Sequence, residues 1–255
     1  MTRTFPRLAF GRALGGGLAA TLAMTRKELY SYLVSPMVYV VTAVFLLING
    51  LIFYATLANG FPEPNLRPIL PTTAFLLLLV IPVLTMRLLA EEKATGTVEL
   101  LMTFPITDTQ VVAGKFLATL AIYGLMLITT LGNVVILKAF GSTEWGPLIT
   151  AYLGLLLFGS SVIAIGMLSS SLTRSQVVSA VLGIGLLLLL WIMGGIGGLI
   201  NPRIGAFFTY LSVNDHLNQF MQGVIDLKDI VYYVSMTLGA LFLTVQIFQS
   251  ARWRA

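Results

Sequence analysis

"EEKATGTVELLMTFP", residues 91–105, is a polar island between two long apolar runs. It holds Glu91, Glu92 and Glu99, three of the ten acidic residues of the chain, with Lys93 beside them and Gly96-Thr97 in the middle. Around it the chain is 57% hydrophobic and 10% charged, with a mean hydropathy of +0.93. A soluble domain carries about 25% charged residues. The island therefore reads as a connection between membrane spans. A helix needs roughly 20 apolar residues to cross about 30 Å of hydrocarbon, and six segments qualify: about 37–57, 69–86, 112–137, 148–168, 177–200 and 231–249. None alternates with period two, which argues against a membrane β-barrel. The expected fold is an all-α membrane protein with six transmembrane helices, one transmembrane domain over residues 1–255.

Six spans put both termini on one side, and positive charge selects that side. With the N-terminus in the cytoplasm, eleven of the 15 basic residues fall on inner segments; Arg67, Lys138, Arg203 and Lys228 fall outside. Both termini and the 91–105 island are thus expected in the cytoplasm. The net charge of +5 serves topology and does not suggest nucleic acid, because the charges sit between apolar runs.

Residues 1–36 form a cytoplasmic or interfacial segment. It is basic and mildly apolar, but Gly15, Gly16 and Gly17 interrupt it, so it is expected to be retained and not cleaved as a signal peptide. Residues 18–34 suggest an interfacial helix with Leu22, Leu29 and Leu33 on the apolar side and Arg26, Lys27 and Glu28 on the wet side. Ser35-Pro36 breaks it before the first span. At the other end, Leu211, Leu217, Phe220, Met221 and Val224 recur at helical spacing before the sixth span. This predicts an amphipathic helix on the outer membrane surface, capped near Ser212 and ended near Gly223, with His216 on its polar side as a solvated or interfacial residue, or else as a proton sensor or ligand.

Several chemistries are excluded. There is no cysteine, so no disulfide, thiolate site or thiol nucleophile. One histidine cannot make a histidine-based transition-metal cluster. No G-x-x-x-x-G-K-[ST] loop is present, and Gly114-Lys115 lacks the upstream glycine, so ATP is not bound here in the P-loop manner. Neither a Ser/His pair nor an acidic pair lies at membrane depth, which disfavours an intramembrane enzyme; near-absence of charge within the spans disfavours an ion-coupled carrier. Asn49 is the deepest clear polar group, suited to a hydrogen bond with a neighbouring helix or to substrate contact. Pro82 is expected to kink span two. Gly194 and Gly198 form a small-x-x-x-small pair, suited to close helix packing or to a pathway hinge.

The island reads locally as helix, turn, short helix, turn, helix. Span two continues through Glu91, Glu92 and Lys93. Gly96 permits a left-handed turn. Thr97 caps a short helix, with Glu99 near its amino end and an apolar face of Leu100, Leu101, Met102 and Phe104; Pro105 stops it. Thr107 and Gln110 fit a capping box that opens span three. With no energy source of its own, such a chain needs a partner, and this is the only inner connection long enough to make a docking surface.

Residues 87–118, "RLLAEEKATGTVELLMTFPITDTQVVAGKFLA", resemble the cytoplasmic signature of type-2 ABC-transporter permeases. The acidic pair is Glu91-Glu92, followed by Gly96-Thr97-Val98-Glu99-Leu100-Leu101, Phe104-Pro105 and Gly114-Lys115-Phe116. The runs beginning at Arg26 and at Leu211 are similar to the gliding-motility type of permease subunit. The resemblance implies a permease of the bacterial inner membrane, without catalytic, cofactor or metal residues of its own. It implies a second permease subunit, homo- or heterodimeric, and a pair of cytoplasmic ATPase subunits that bind ATP and Mg. Glu91, Glu92, Gly96, Thr97, Glu99, Leu100, Leu101 and Phe104 would then form the coupling element, and Asn49, Pro82, Gly194 and Gly198 would line the pathway or the dimer contact. The implied function is ATP-driven export; the mostly apolar spans suit an amphiphilic or lipid-linked substrate better than ions, with lipid around the spans. A membrane scaffold or mechanical transducer of an envelope machine, with a periplasmic auxiliary subunit, is the alternative.

Overall fold

A computed structural model describes residues 17–58, 68–97, 106–140, 145–197 and 202–252. Among these there is no strand. In chain order the helices are α1 Gly17–Val34, α2 Pro36–Ala58, α3 Leu70–Thr85, α4 Arg87–Thr95, α5 Asp108–Phe140, α6 Trp145–Leu172, α7 Gln176–Gly197, α8 Pro202–Leu211, α9 Val213–Met221 and α10 Leu227–Arg252. Six stretches are long and apolar enough to cross a membrane: α2, α3 with α4, α5, α6, α7 and α10. The chain is a multi-pass membrane protein, and the expected all-α, six-span fold is observed. Several helices run past the apolar runs that announced them; α5 starts at Asp108 and α6 continues to Leu172. Hydropathy marks only the part in hydrocarbon, whereas caps decide where a helix ends.

α6 is the axis of the bundle. It packs against α3, α4, α5, α7, α9 and α10, and Leu155, Phe158, Val162, Ile163 and Ala164 are all buried on it. α2 and α7 lie at the periphery, each with only 17% of its central window buried. Their outward residues, such as Leu47 and Tyr54 on α2 and Val181 and Leu189 on α7, are apolar, as lipid contact requires.

The structure corrects the reading of α1. Ala20, Met24 and Tyr32 are buried, and Glu28 completes this i, i+4 stripe against α5, with a side chain only 13% exposed. Leu22 and Leu33 point outward. Glu28 turns inward because a buried lysine on α5 needs a counter-charge. Ser35 breaks the chain before α2, as expected, its N–H bonded to Tyr32 O.

The far end also differs from expectation. Ser212 caps α9, accepting from Asp215 N at 3.3 Å, and Gly223 adopts φ 89°. However, Leu211 ends a separate helix, α8, and Val224 lies beyond α9 and is exposed. α9 is amphipathic, with Asn214, Asp215, Asn218 and Gln219 partly exposed and its apolar face turned onto the bundle. It packs against α6, α7 and α10, with Leu217 and Phe220 buried. His216 is buried, not solvated: Nδ1 lies 2.5 Å from Asp229 Oδ1 and Nε2 lies 3.0 Å from Tyr210 O. Its ring stacks on Tyr232 with centroids 3.9 Å apart.

Candidate functional site

The site is built where α3 passes into α4, at the end of the bundle that carries α1. Met86 divides α3 from α4: its backbone is helical at φ −54° and ψ −33° and its N–H bonds Pro82 O, but the N–H groups of Leu89 and Ala90 beyond it bond the Ser170 hydroxyl. α4 then continues to Thr95. Arg87 Nε reaches Glu91 Oε2 at 3.3 Å, one turn on, and its guanidinium also donates to Ser35 Oγ at 3.0 Å, tying α4 to the α1–α2 corner. Gly96 ends α4 with φ 71° and ψ 6°, a left-handed conformation that costs an L-residue roughly 1–2 kcal/mol. The hydroxyls of Thr95 and Thr97 lie 3.0 Å apart across this turn. On the return, Thr107 and Gln110 form the predicted capping box: Thr107 N donates to Gln110 Oε1 at 3.0 Å and Gln110 N to Thr107 Oγ1 at 3.4 Å.

Lys115 on α5 is the centre of the site. It is 2% exposed, and its ammonium lies 2.7 Å from Glu92 Oε1 and 3.1 Å from Glu28 Oε1. One cation thus joins α1, α4 and α5. A buried lysine stays charged only when paired, and here two carboxylates share it. Gly114 makes the approach possible, since a Cβ there would stand 2.7 Å from Met24 Cβ on α1. Glu92 Oε2 has no hydrogen-bond partner. On the opposite side of α4, Lys93 Nζ donates to Ser171 O at the C-terminal end of α6, where the helix dipole favours a cation. Tyr32 donates to Leu84 O at 3.2 Å and lies 3.1 Å from Thr119 Oγ1. Burial pushes its hydroxyl well above the ordinary phenol value, so it remains a neutral donor. Between α1, α4 and α5 these groups line a notch of about 360 Å³.

Glu91, Glu92 and Thr97 therefore come together at this notch, and Gly96 turns the chain at its edge between Thr95 and Thr97. Glu99, Leu100, Leu101 and Phe104, and with them the predicted short helix, lie outside the described residues, as does Gly198. Asn49 is buried near the other end. It donates to Thr73 Oγ1 at 2.7 Å and accepts from Asn133 Nδ2 at 2.9 Å, linking α2, α3 and α5. Pro82 is buried in α3, and its carbonyl accepts from Met86 N. Gly194 on α7 faces Asp215 and Ser212 at the head of α9; a Cβ would collide with Asp215 Oδ2. Among the described residues no group of acidic or histidine side chains is placed to hold a metal.

The sequence reading missed Glu28, Lys115 and the His216–Asp229 pair as partners. A signal existed for Lys115: a charge two turns inside a long apolar helix needs a counter-charge. Which carboxylates supply it could not be read, because Glu28 is 87 positions away.

The family model described as ABC-2 family transporter protein matches residues 58–251. The chain belongs to this family of transporter membrane proteins, whose members are membrane subunits that associate with ABC ATPases. α1 and nearly all of α2 precede the matched segment. No curated protein matches the chain.

Proposed function

We propose that this chain is the permease subunit of an ATP-driven exporter of the bacterial inner membrane, with both termini in the cytoplasm. The observation that carries the reading is the strapped α4. A helix leaving the second span is fixed by the ion pair of Glu92 with Lys115 on α5, by the Arg87 hydrogen bond to Ser35 and by Lys93 to α6, and it ends in a left-handed glycine. Such an element transmits force applied to the segment beyond it, residues 97–104. There Leu100, Leu101 and Phe104 fill a groove on a cytoplasmic ATPase subunit, and Glu99 pairs with a basic residue of that subunit. Two permease and two ATPase subunits form the working unit, and ATP and Mg bind to the ATPase. The mostly apolar spans favour an amphiphilic or lipid-linked cargo. Co-purification with the ATPase and ATP turnover in lipid test the reading. Glu99→Lys and Gly96→Val are expected to insert normally yet lose partner binding or turnover. Wild-type binding and turnover in both would reduce the stretch to a connecting loop.

A further inference from the structure

Residues 169–171 of α6 are three consecutive serines, all buried. Ser169 Oγ bonds Ile165 O at 3.0 Å and Ser171 Oγ bonds Leu168 O at 2.6 Å, both within their own helix. Ser170 departs from this pattern. Its hydroxyl crosses to the α3–α4 junction, donates to Met86 O at 2.9 Å, and accepts from Leu89 N at 3.1 Å and Ala90 N at 3.0 Å. One side chain thus occupies three backbone groups of another helix at the residue where its ladder is interrupted. From the other side, Tyr32 of α1 occupies Leu84 O.

A helix break away from proline or glycine needs a cause, and an inserted side chain is one. Met86 itself is neither residue, and Pro82 keeps its carbonyl engaged with Met86 N. Four backbone groups around the break, Leu84 O, Met86 O, Leu89 N and Ala90 N, are met by hydroxyls from α1 and α6, as burial demands. The break is a built feature, not fraying. It also sits about one and a half turns before Glu91 and Glu92, so a small change of direction there displaces the whole far end of α4.

We infer that Ser170, assisted by Tyr32, is a positioning residue that sets the direction in which α4 leaves the second span. Without the Ser170 hydroxyl, Leu89 N–H turns to the Thr85 carbonyl and the ladder closes into one continuous helix. The chain still folds, but α4 swings off its ties to Lys115 and to the end of α6. This rests on the proposed function only for its consequence, the aim of the coupling segment; the hydrogen bonds from Ser170 and Tyr32 belong to this chain alone.

The test uses the absence of native cysteine. Spin labels at Thr95→Cys, the exposed end of α4, and Ser175→Cys, the exposed turn between α6 and α7, report the direction of α4 in the purified permease in lipid nanodiscs. Ser170→Ala is expected to shift the label–label distance distribution, and Tyr32→Phe to shift it less. Ser169→Ala, an equal deletion one residue away, is expected to leave it in place. A distribution in Ser170→Ala that superimposes on wild type overturns the inference. If that variant does not accumulate, an unchanged Tyr32→Phe distribution does so. In the complex with the ATPase, Ser170→Ala is expected to keep partner binding while losing most of the coupled ATP turnover, a split that general destabilisation would not give. Failure of wild type to bind any ATPase would defeat the proposed function and leave the distance measurement standing.

Discussion

The two ends of the bundle are held by different chemistry. At the α1 end, long charged side chains converge on Lys115 around an open notch of about 360 Å³. At the α9 end, rings and backbone carbonyls do the holding. Tyr232 donates to Leu211 O at 2.8 Å, Tyr233 donates to Val213 O at 2.7 Å, and His216 sits between Asp229 and Tyr210 O. The Tyr210 carbonyl only accepts, so His216 Nε2 carries a hydrogen, and Nδ1 shares a proton with the Asp229 carboxyl. Aromatic rings have few rotamers and fill space, which makes a stiff cap. Ionic side chains keep several torsions and hold a geometry while leaving room beside them. The difference teaches where room is left: the α9 end is stiffened by its rings, whereas the α1 end groups its buried charges beside a notch.

The strongest test of this contrast is Lys115→Ala. It leaves Glu28 and Glu92 facing each other without their cation, and losing one partner of a buried pair costs about 3–5 kcal/mol. SDS titration in mixed micelles should show it as the least stable of these single variants. A small effect would mean that water reaches the carboxylates and that the clamp is superficial. Next is Asp229→Ala, which strands His216 Nδ1 in a buried site at about 1–3 kcal/mol; Gly194→Ala, by overpacking against Asp215, is expected in the same range. If Asp229→Ala proved as costly as Lys115→Ala, the aromatic cap would depend on its polar pair and the contrast between the ends would fail. The smallest effect is assigned to Glu91→Gln. Its i, i+4 pair with Arg87 is half exposed, so about 0.3–0.5 kcal/mol is expected, and that difference should shrink in high salt. A large loss there would extend the clamp to the outer rim of the notch.

Much of the scaffold was legible because it depends on neighbours along the chain. The left-handed Gly96, the Thr107–Gln110 box and the Ser212 cap each arise from residues within four positions of one another. α8 was missed although Asn201-Pro202 is a helix-start pair, because its ten residues follow directly on the end of one apolar run. α1 was turned the wrong way for a related reason: a charged residue was assigned to water, and only α5 shows that Glu28 has a better partner than water.

By itself the sequence determined the membrane class, the six spans and the place of the polar island, because span length and local capping are properties of contiguous residues. Tertiary structure alone decided the rest. It chose Glu28 and Glu92 for Lys115, sent Ser170 and not Ser169 across to Met86, and buried His216 against Asp229. Each of these choices depends on which helix faces are brought together in a dry interior. There an unpaired charge or N–H is costly, and the partner that satisfies it can come from anywhere in the chain.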